Sequence, residues 1–302
     1  MTGSQQRAAA EHLAETFRVS QRRATRALGR SRSTVRYEPK TREGEATLVQ
    51  AIRRLVRRHP RFGHRRIHAR LVATGWAVNL KRVRRLLVTR GCQQRIRRKS
   101  RAKRRFPGSS RNGCTTRPST TRNDVWTCDF LHERTISGGS LKWLSVVDEY
   151  TRELLVLVPA ATMTAVDVRR SFGRLVGWRG RPRAVRCDNG GEFVGAALAE
   201  WRPTMGAELL AVAPASPWQN GYVESFHGKL RNEFLDLTAF ADVADAKAQA
   251  AWFRREYNTV RPHSGLDYRT PKAFAATCGG SEAEAGGNPP DSTTAREAAT
   301  LI

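Results

Sequence analysis

The sequence predicts an α/β fold, a mixed-sheet domain preceded by small all-helical modules, and three observations carry that expectation. Positive charge is concentrated in residues 1–122, which hold 34 Lys/Arg against 5 Asp/Glu, whereas residues 123–278 hold 19 against 18. The basic part sets apolar residues at helical spacing between caps and glycine stops. From Asn123 onward three alternating segments are followed by helical and strand-like stretches in turn, the pattern of a mixed sheet covered by helices.

At 302 residues and a net charge of +27, the chain can bury one sizeable core and carry accessory modules, so two or three domains are expected. The basic block fits a polyphosphate partner, bound through counterion release and therefore sensitive to salt. A solvated basic tail or a membrane-surface patch is the plainer alternative. Cys92, Cys114, Cys128, Cys187 and Cys278 form no C-x-x-C, which argues against a metal finger and a disulfide framework. No apolar run reaches the ~20 residues of a membrane span, and the polar N-terminus has no signal-peptide apolar segment. The expected setting is a reducing cytoplasm without membrane association.

Residues 1–44 read as short helices. Ser20 caps Gln21 to Leu28, Gly29 stops that helix, and Ser31 caps Arg32 to Tyr37, with Pro39 ending the run. This pattern fits a helix-turn-helix and a bland helical hairpin equally. Residues 45–105 form a second basic module. Leu48, Ile52, Leu55 and Val56 line one helix, Pro60 and Gly63 break it, Arg65 to Ala73 form another closed by Gly75, and Asn79 caps a third ending at Gly91. In the third, Val83, Leu86 and Leu87 face a core, while Lys81, Arg82, Arg84, Arg85 and Arg90 supply cations for a major groove or its phosphates. Arg65 and Arg66 are further candidates for DNA contact. His59, His64 and His68 have loose metal-like spacing but lack nearby thiols or a carboxylate. An Arg/Lys run from residue 93 leads into a basic linker, 106–122, rich in Gly, Pro and Ser.

The third domain, 123–278, begins with strands at Val125 to Leu131, Leu141 to Val147 and Glu153 to Val158, turning at Ser137 to Ser140 and Glu149 to Arg152. A helix over Thr164 to Trp178, a strand over Ala184 to Cys187, a helix over Phe193 to Trp201, a strand over Ala207 to Val212 and a helix over Gln219 to Phe234 follow. Residues 279–302 have the composition of a disordered tail.

Three acids stand out. Strand alternation puts Asp129 on the face opposite Trp126, Cys128 and Phe130, so its carboxylate can face a cleft. Asp188 follows an apolar strand at an Asn-Gly-Gly turn, and ligands gather at such strand ends. Glu224, after 35 intervening residues, lies on a helix whose Val223, Phe226, Leu230 and Phe234 form the apolar side, with Asn220, His227 and Arg231 on its own side. Two hard divalent cations can align an attacking oxygen, a phosphorus and a leaving oxygen, and carboxylates are their natural ligands.

The motifs Trp126-x-x-Asp129, Asp188-Asn-Gly-x-Glu-Phe193 and Gln219-Asn-Gly-x-x-Glu224-Ser-Phe resemble the DDE signature of the integrase catalytic core, above all in the second-reading-frame (OrfB-type) transposases of bacterial insertion sequences. Arg61-Phe-Gly-His-Arg-Arg-Ile67 with Asn79-Leu-Lys-Arg-Val83 resembles that family's N-terminal helical module, and Tyr257-Asn-x-x-Arg-Pro-His263 followed by Thr270-Pro-x-x-Phe274 resembles its C-terminal segment. The resemblance covers roughly residues 20–275. It implies an RNase H-like catalytic core and Mg²⁺-dependent polynucleotidyl transfer on DNA, with two ions and Mn²⁺ as a substitute. Asp129 would bridge the ions, and Asp188 and Glu224 would each complete one side. Water and then a freed 3′-hydroxyl would be the nucleophiles, with no covalent protein–DNA intermediate. Implied partners are the element's terminal inverted repeats, target DNA, further copies of the chain and an upstream-frame (OrfA-type) product, separate or fused. Ser216-Pro-Trp218 and Cys187 depart from the family's usual residues without touching an acid.

Other residues carry less. Asp148, Glu149 and Glu192 are expected to be solvated turn acids and not metal ligands. His227 has two open readings, a phosphate contact or proton-transfer group and a plain surface histidine. Lys229 and Arg231 are candidates for phosphate contact, and alternation turns Cys128 and Cys187 into the core. A non-catalytic DNA-binding regulator or a decayed relic of a transposase is the rival from another class, and three separated acids retained together weigh against it.

Overall fold

The computed structural model describes residues 3–37, 43–92, 117–187, 206–211 and 221–278. It divides into two compact units, Met1–Ala51 and Ile52–Ile302, with the boundary inside one helix.

In the first unit α1 (Gly3–Thr16), α2 (Gln21–Ala27) and α3 (Arg32–Arg36) pack together. Their shared core holds Ala10, Ala24 and Val35, each 1% exposed. Ser20 precedes α2, Gly29 turns the chain at φ +62°, and the Ser31 side chain accepts the Thr34 N–H at the start of α3. Gly29 suits that left-handed turn because it has no Cβ to clash. Arg7 on α1 donates to the Val35 and Tyr37 carbonyls, closing the end of α3. Helix α1 had no sequence expectation of its own. Its buried positions include Gln6 and Ala10, which give little apolar contrast. Pro39 lies outside the described residues.

Helix α4 (Glu45–Arg58) crosses the boundary between the units. In the second unit α5 (His64–Ala73) and α6 (Leu80–Thr89) form a hairpin. Gly75 turns at φ +89°, and Asn79 caps α6 by accepting the Lys81 N–H at 2.8 Å. Ile67, Leu71, Val83, Leu86 and Leu87 are buried. His68 bonds the Val78 carbonyl and His59 stacks on Phe62, so both serve packing.

The sheet has five strands in the order β3-β2-β1-β4-β5: β1 (Val125–Arg134), β2 (Ser140–Asp148), β3 (Leu154–Ala160), β4 (Ala184–Cys187) and β5 (Glu208–Ala211). The first three form an antiparallel meander, while β4 and β5 run parallel to β1. Between β3 and β4 lies α7 (Ala165–Arg179), started by a reciprocal cap between Thr164 and Asp167. One sheet face buries Trp126, Cys128, Leu144, Val146 and Val185 against Val168, Phe172 and Leu175 of α7. The other buries Leu131, Trp143 and Leu157 against α8 (Gly221–Glu233) and α9 (Val243–Thr259), through Phe226, Leu230, Phe253 and Tyr257. A short α10 (Pro271–Thr277) follows, capped by Thr270. A mixed sheet in this order between helical layers is an RNase H-like core.

Two expectations change. Asp148 and Glu149 are buried, at 0% and 1% exposure, not solvated. Asp148 accepts the N–H groups of Asn123, Tyr150 and Thr151 and lies 3.4 Å from Arg179, which also pairs with Glu153. Glu149 pairs with Arg186 at 2.8 Å. Inward-facing arginines from α7 and β4 draw these turn acids inside, since buried charge is tolerated where it is paired and hydrogen-bonded. The second change is α9, a 17-residue helix where the sequence offered only a motif at its end. The helix expected over 193–201, Glu192, Ser216 to Trp218, the linker from 93 to 116 and the tail from 279 lie outside the described residues.

Candidate active site

Asp129 sits in the middle of β1, paired with Ser145 of β2. Its neighbours Cys128 and Phe130 turn towards α7, so the Asp129 side chain points to the α8 side and keeps 25% of its surface exposed. Its Oδ1 accepts the Phe130 N–H at 2.7 Å. Ser145 Oγ donates to the Asp129 carbonyl at 3.1 Å and lies 2.9 Å from His227 Nε2. Nδ1 faces Asp129 Oδ2 at 3.5 Å.

Burial first, and the nearby Arg231 charge second, bring the His227 imidazole down to about 4. A neutral imidazole makes its approach to Asp129 something other than an ion pair. The reading of His227 as a plain surface histidine fails, because its side chain is 11% exposed and bridges α8 to β1 and β2. Glu224 lies one turn earlier on the same flank of α8. It is exposed, and partial burial pushes its carboxyl up. Val223, Phe226 and Leu230 fix the helix against the sheet, which is what turns Glu224 and His227 to the Asp129 side.

Asp188 and Asn220 lie outside the described residues. The strand leading to Asp188, β4, pairs with β1 at Thr127 and Arg186, two residues before Asp129. No group of three metal-binding side chains occurs among the described residues. What is described fits a hard cation nonetheless: Asp129 is partly open and Glu224 exposed, and carboxylate oxygens are the ligands such ions take.

The basic candidates divide. Arg65, Lys81, Arg84, Arg85 and Arg231 are exposed, and Arg82 is half-buried. Arg66 is half-buried and engaged within the protein: Nη1 donates to Glu233 Oε1 at 2.6 Å and the guanidinium lies over the Phe62 ring. Lys229 is half-buried on the other flank of α8. Sequence reasoning missed the partners that organise this region. Arg261 grips Glu233 with two hydrogen bonds of 2.6 and 2.7 Å, and Asn258 clamps both backbone groups of Leu154 on β3. Tyr257, Asn258, Arg261 and His263 all belong to the motif noted at residues 257–263, so the signal was present without its role.

Residues 119–217 and 205–271 match the family described as Integrase core domain, and residues 43–100 match the family described as HTH-like domain. An insertion element IS407 protein of 31.7 kDa from Burkholderia multivorans is 36% identical over 270 residues, covering 87% of this chain and 93% of that protein. The transposase for insertion sequence element IS904 of Lactococcus lactis is 27% identical over 227 residues, 71% of this chain and 87% of that protein. The HTLV-2 integrase catalytic core domain, solved in complex with magnesium, is similar with a TM-score of 0.42 and 17% identity, covering 52% of this chain and 99% of that one. With an HTH-like segment before an integrase core, and high identity to an insertion-element protein along nearly its whole length, the chain belongs to the insertion-sequence transposase family.

Proposed function

We propose that this transposase cuts DNA at the ends of its insertion element and joins the freed strand to target DNA, with Asp129, Asp188 and Glu224 holding two Mg²⁺ ions. The observation that carries the reading is the Asp129–His227–Ser145 cluster, with Glu224 on the same helix flank, in a core of the integrase family. When bound, the ions supply Lewis-acid polarisation of the phosphate and a more acidic attacking hydroxyl, and Mn²⁺ serves in the same way. Asp129 offers oxygens from a rigid central strand. His227, neutral and anchored on Ser145, holds α8 and therefore Glu224 against that strand. The exposed cations of α5 and α6 bind backbone phosphates and position the duplex, and those contacts carry no sequence information themselves. Assembly as a multimer on paired ends, together with an upstream-frame product, belongs to the same proposal.

The test is cleavage and joining by the purified chain on DNA bearing the element's terminal repeats. Asp129→Asn, Asp188→Asn and Glu224→Gln should each lower joining at least about a hundredfold, the scale on which losing one charge-stabilising group acts. Circular dichroism should match wild type, and chelation should abolish the wild-type reaction. Equal activity in wild type and all three variants would sink the assignment.

A further inference from the structure

Helix α8 has a second polar flank. Lys229 follows Glu224 by five residues, about 140° around the helix axis, and the buried stripe of Phe226 and Leu230 separates it from His227. It opens into a cleft of about 870 Å³ lined by residues of α5, the β2–β3 turn, α8 and the segment after α9. Six Lys/Arg line this cleft, Arg61, Arg65, Arg66, Arg152, Lys229 and Arg261, against one acid, Glu233. Glu233 is spoken for: Arg66 and Arg261 take both of its oxygens.

The remaining donors are aimed inward. Arg152, in the β2–β3 turn, lies 3.9 Å over the Tyr222 ring, and stacking fixes its plane while leaving the guanidinium edge for bonding. Its Nη1 is buried without a hydrogen-bond partner, as are Arg61 Nε and His263 Nε2. His263 is only 5% exposed. Burial first, and then the charges of Arg261 and Arg152, bring the Lys229 ammonium down to about 8. Glu233 answers Arg66 and Arg261, and Lys229 is left beside cations that repel it. A neutral residue of similar size at 229 would stabilise the fold, the mark of a group kept for a ligand.

We propose that this cleft is a phosphate-binding site, separate from the Asp129 site, in which Arg152, Lys229 and His263 hold the phosphate groups of a DNA strand or of a free phosphate compound. Phosphate fits the donor set: guanidinium, ammonium and a neutral imidazole N–H all donate, and dense negative charge relieves the crowding. The inference shares α8 with the proposed chemistry but does not depend on it.

The full chain is measured in EDTA, so that no divalent-ion chemistry contributes. The probes are inorganic pyrophosphate, read by thermal shift, and a short blunt duplex of arbitrary sequence, read by anisotropy across a salt series. Lys229→Gln and Arg152→Gln are compared with Arg169→Gln, which removes one exposed charge from α7. Lys229→Gln should melt higher than wild type without ligand. In addition, both cleft variants should either lose the pyrophosphate-induced rise in Tm, which identifies a free phosphate compound as occupant, or bind the duplex about tenfold more weakly with a salt slope shallower by roughly 1, which identifies a DNA strand. Cleft variants indistinguishable from Arg169→Gln with both probes, or a lower Tm for Lys229→Gln with unchanged binding, would overturn the site. Loss of strand joining in the three acid variants alongside unchanged cleft binding in Lys229→Gln would leave the transposase reading standing and remove this one; the reverse pair of results would do the opposite.

Discussion

Arg186 is among the largest side chains in the core, 2% exposed, on the short strand that leads towards Asp188. Its Nε donates to Glu149 and its Nη2 to the Arg117 carbonyl. Burial pushes the Glu149 carboxyl up, and Arg186 pulls it part of the way back. A carboxyl whose folded pKa lies above its unfolded value stabilises most at low pH, and that contribution is lost as pH rises through the folded value. Arg186→Met removes the compensating charge. It should cost about 3–5 kcal/mol at neutral pH, the scale of orphaning one member of a buried pair, and distinctly less at acidic pH, where Glu149 takes up a proton. Urea denaturation at neutral and acidic pH checks this; an equal loss at both would mean that Glu149 does not change its charge between them. Neither partner was legible as a pair, because 37 residues separate them and only the β1–β4 pairing brings them together.

At the scale of elements, one carboxylate ties α5, α8 and the segment after α9 together. Burial raises the Glu233 carboxyl, but hydrogen bonds and charge from Arg261, with the charge of Arg66, outweigh it and hold the group below its usual value. Such a group stabilises the fold above its unfolded pKa and loses that contribution as pH falls through the folded one. Glu233→Gln should therefore cost about 3–5 kcal/mol at neutral pH and flatten the fall in Tm as pH drops below 4.5. A Tm profile parallel to wild type through that range would contradict the clamp. The strands were legible because apolar and polar residues alternate along them: Trp126 and Cys128 against Asp129, Leu144 and Val146 against Ser145. Helix α9 was not, because two of its buried positions are Ala246 and Ala250, which give a helix face close packing but little apolar contrast.

For the whole molecule, charge is divided from chemistry. The 34 Lys/Arg of residues 1–122 accompany a catalytic part of nearly balanced charge, so most of the affinity for DNA belongs outside the core. Binding of duplex DNA by the full chain should weaken steeply with salt, with a log–log slope of magnitude about 5 or more, as expected for six or more phosphate contacts. Lys81→Gln, Arg84→Gln and Arg85→Gln should each reduce that slope by roughly 1 and weaken all sequences alike. A slope unchanged in the triple variant would remove α6 from the interface.

The sequence alone marked the basic helices and the strands of a mixed sheet, the strand bearing Asp129 and the helix bearing Glu224, because periodicity, caps and charge are local. It could also mark the three acids and the 257–263 motif by their resemblance. Only the tertiary structure decided that His227 is neutral and bonded to Ser145, that Asp148 and Glu149 are buried, and that Lys229, Arg152 and His263 share one cleft. Each of those depends on desolvation and on partners between 31 and 111 residues apart, quantities that exist only once the sheet has paired and the helices have packed on it.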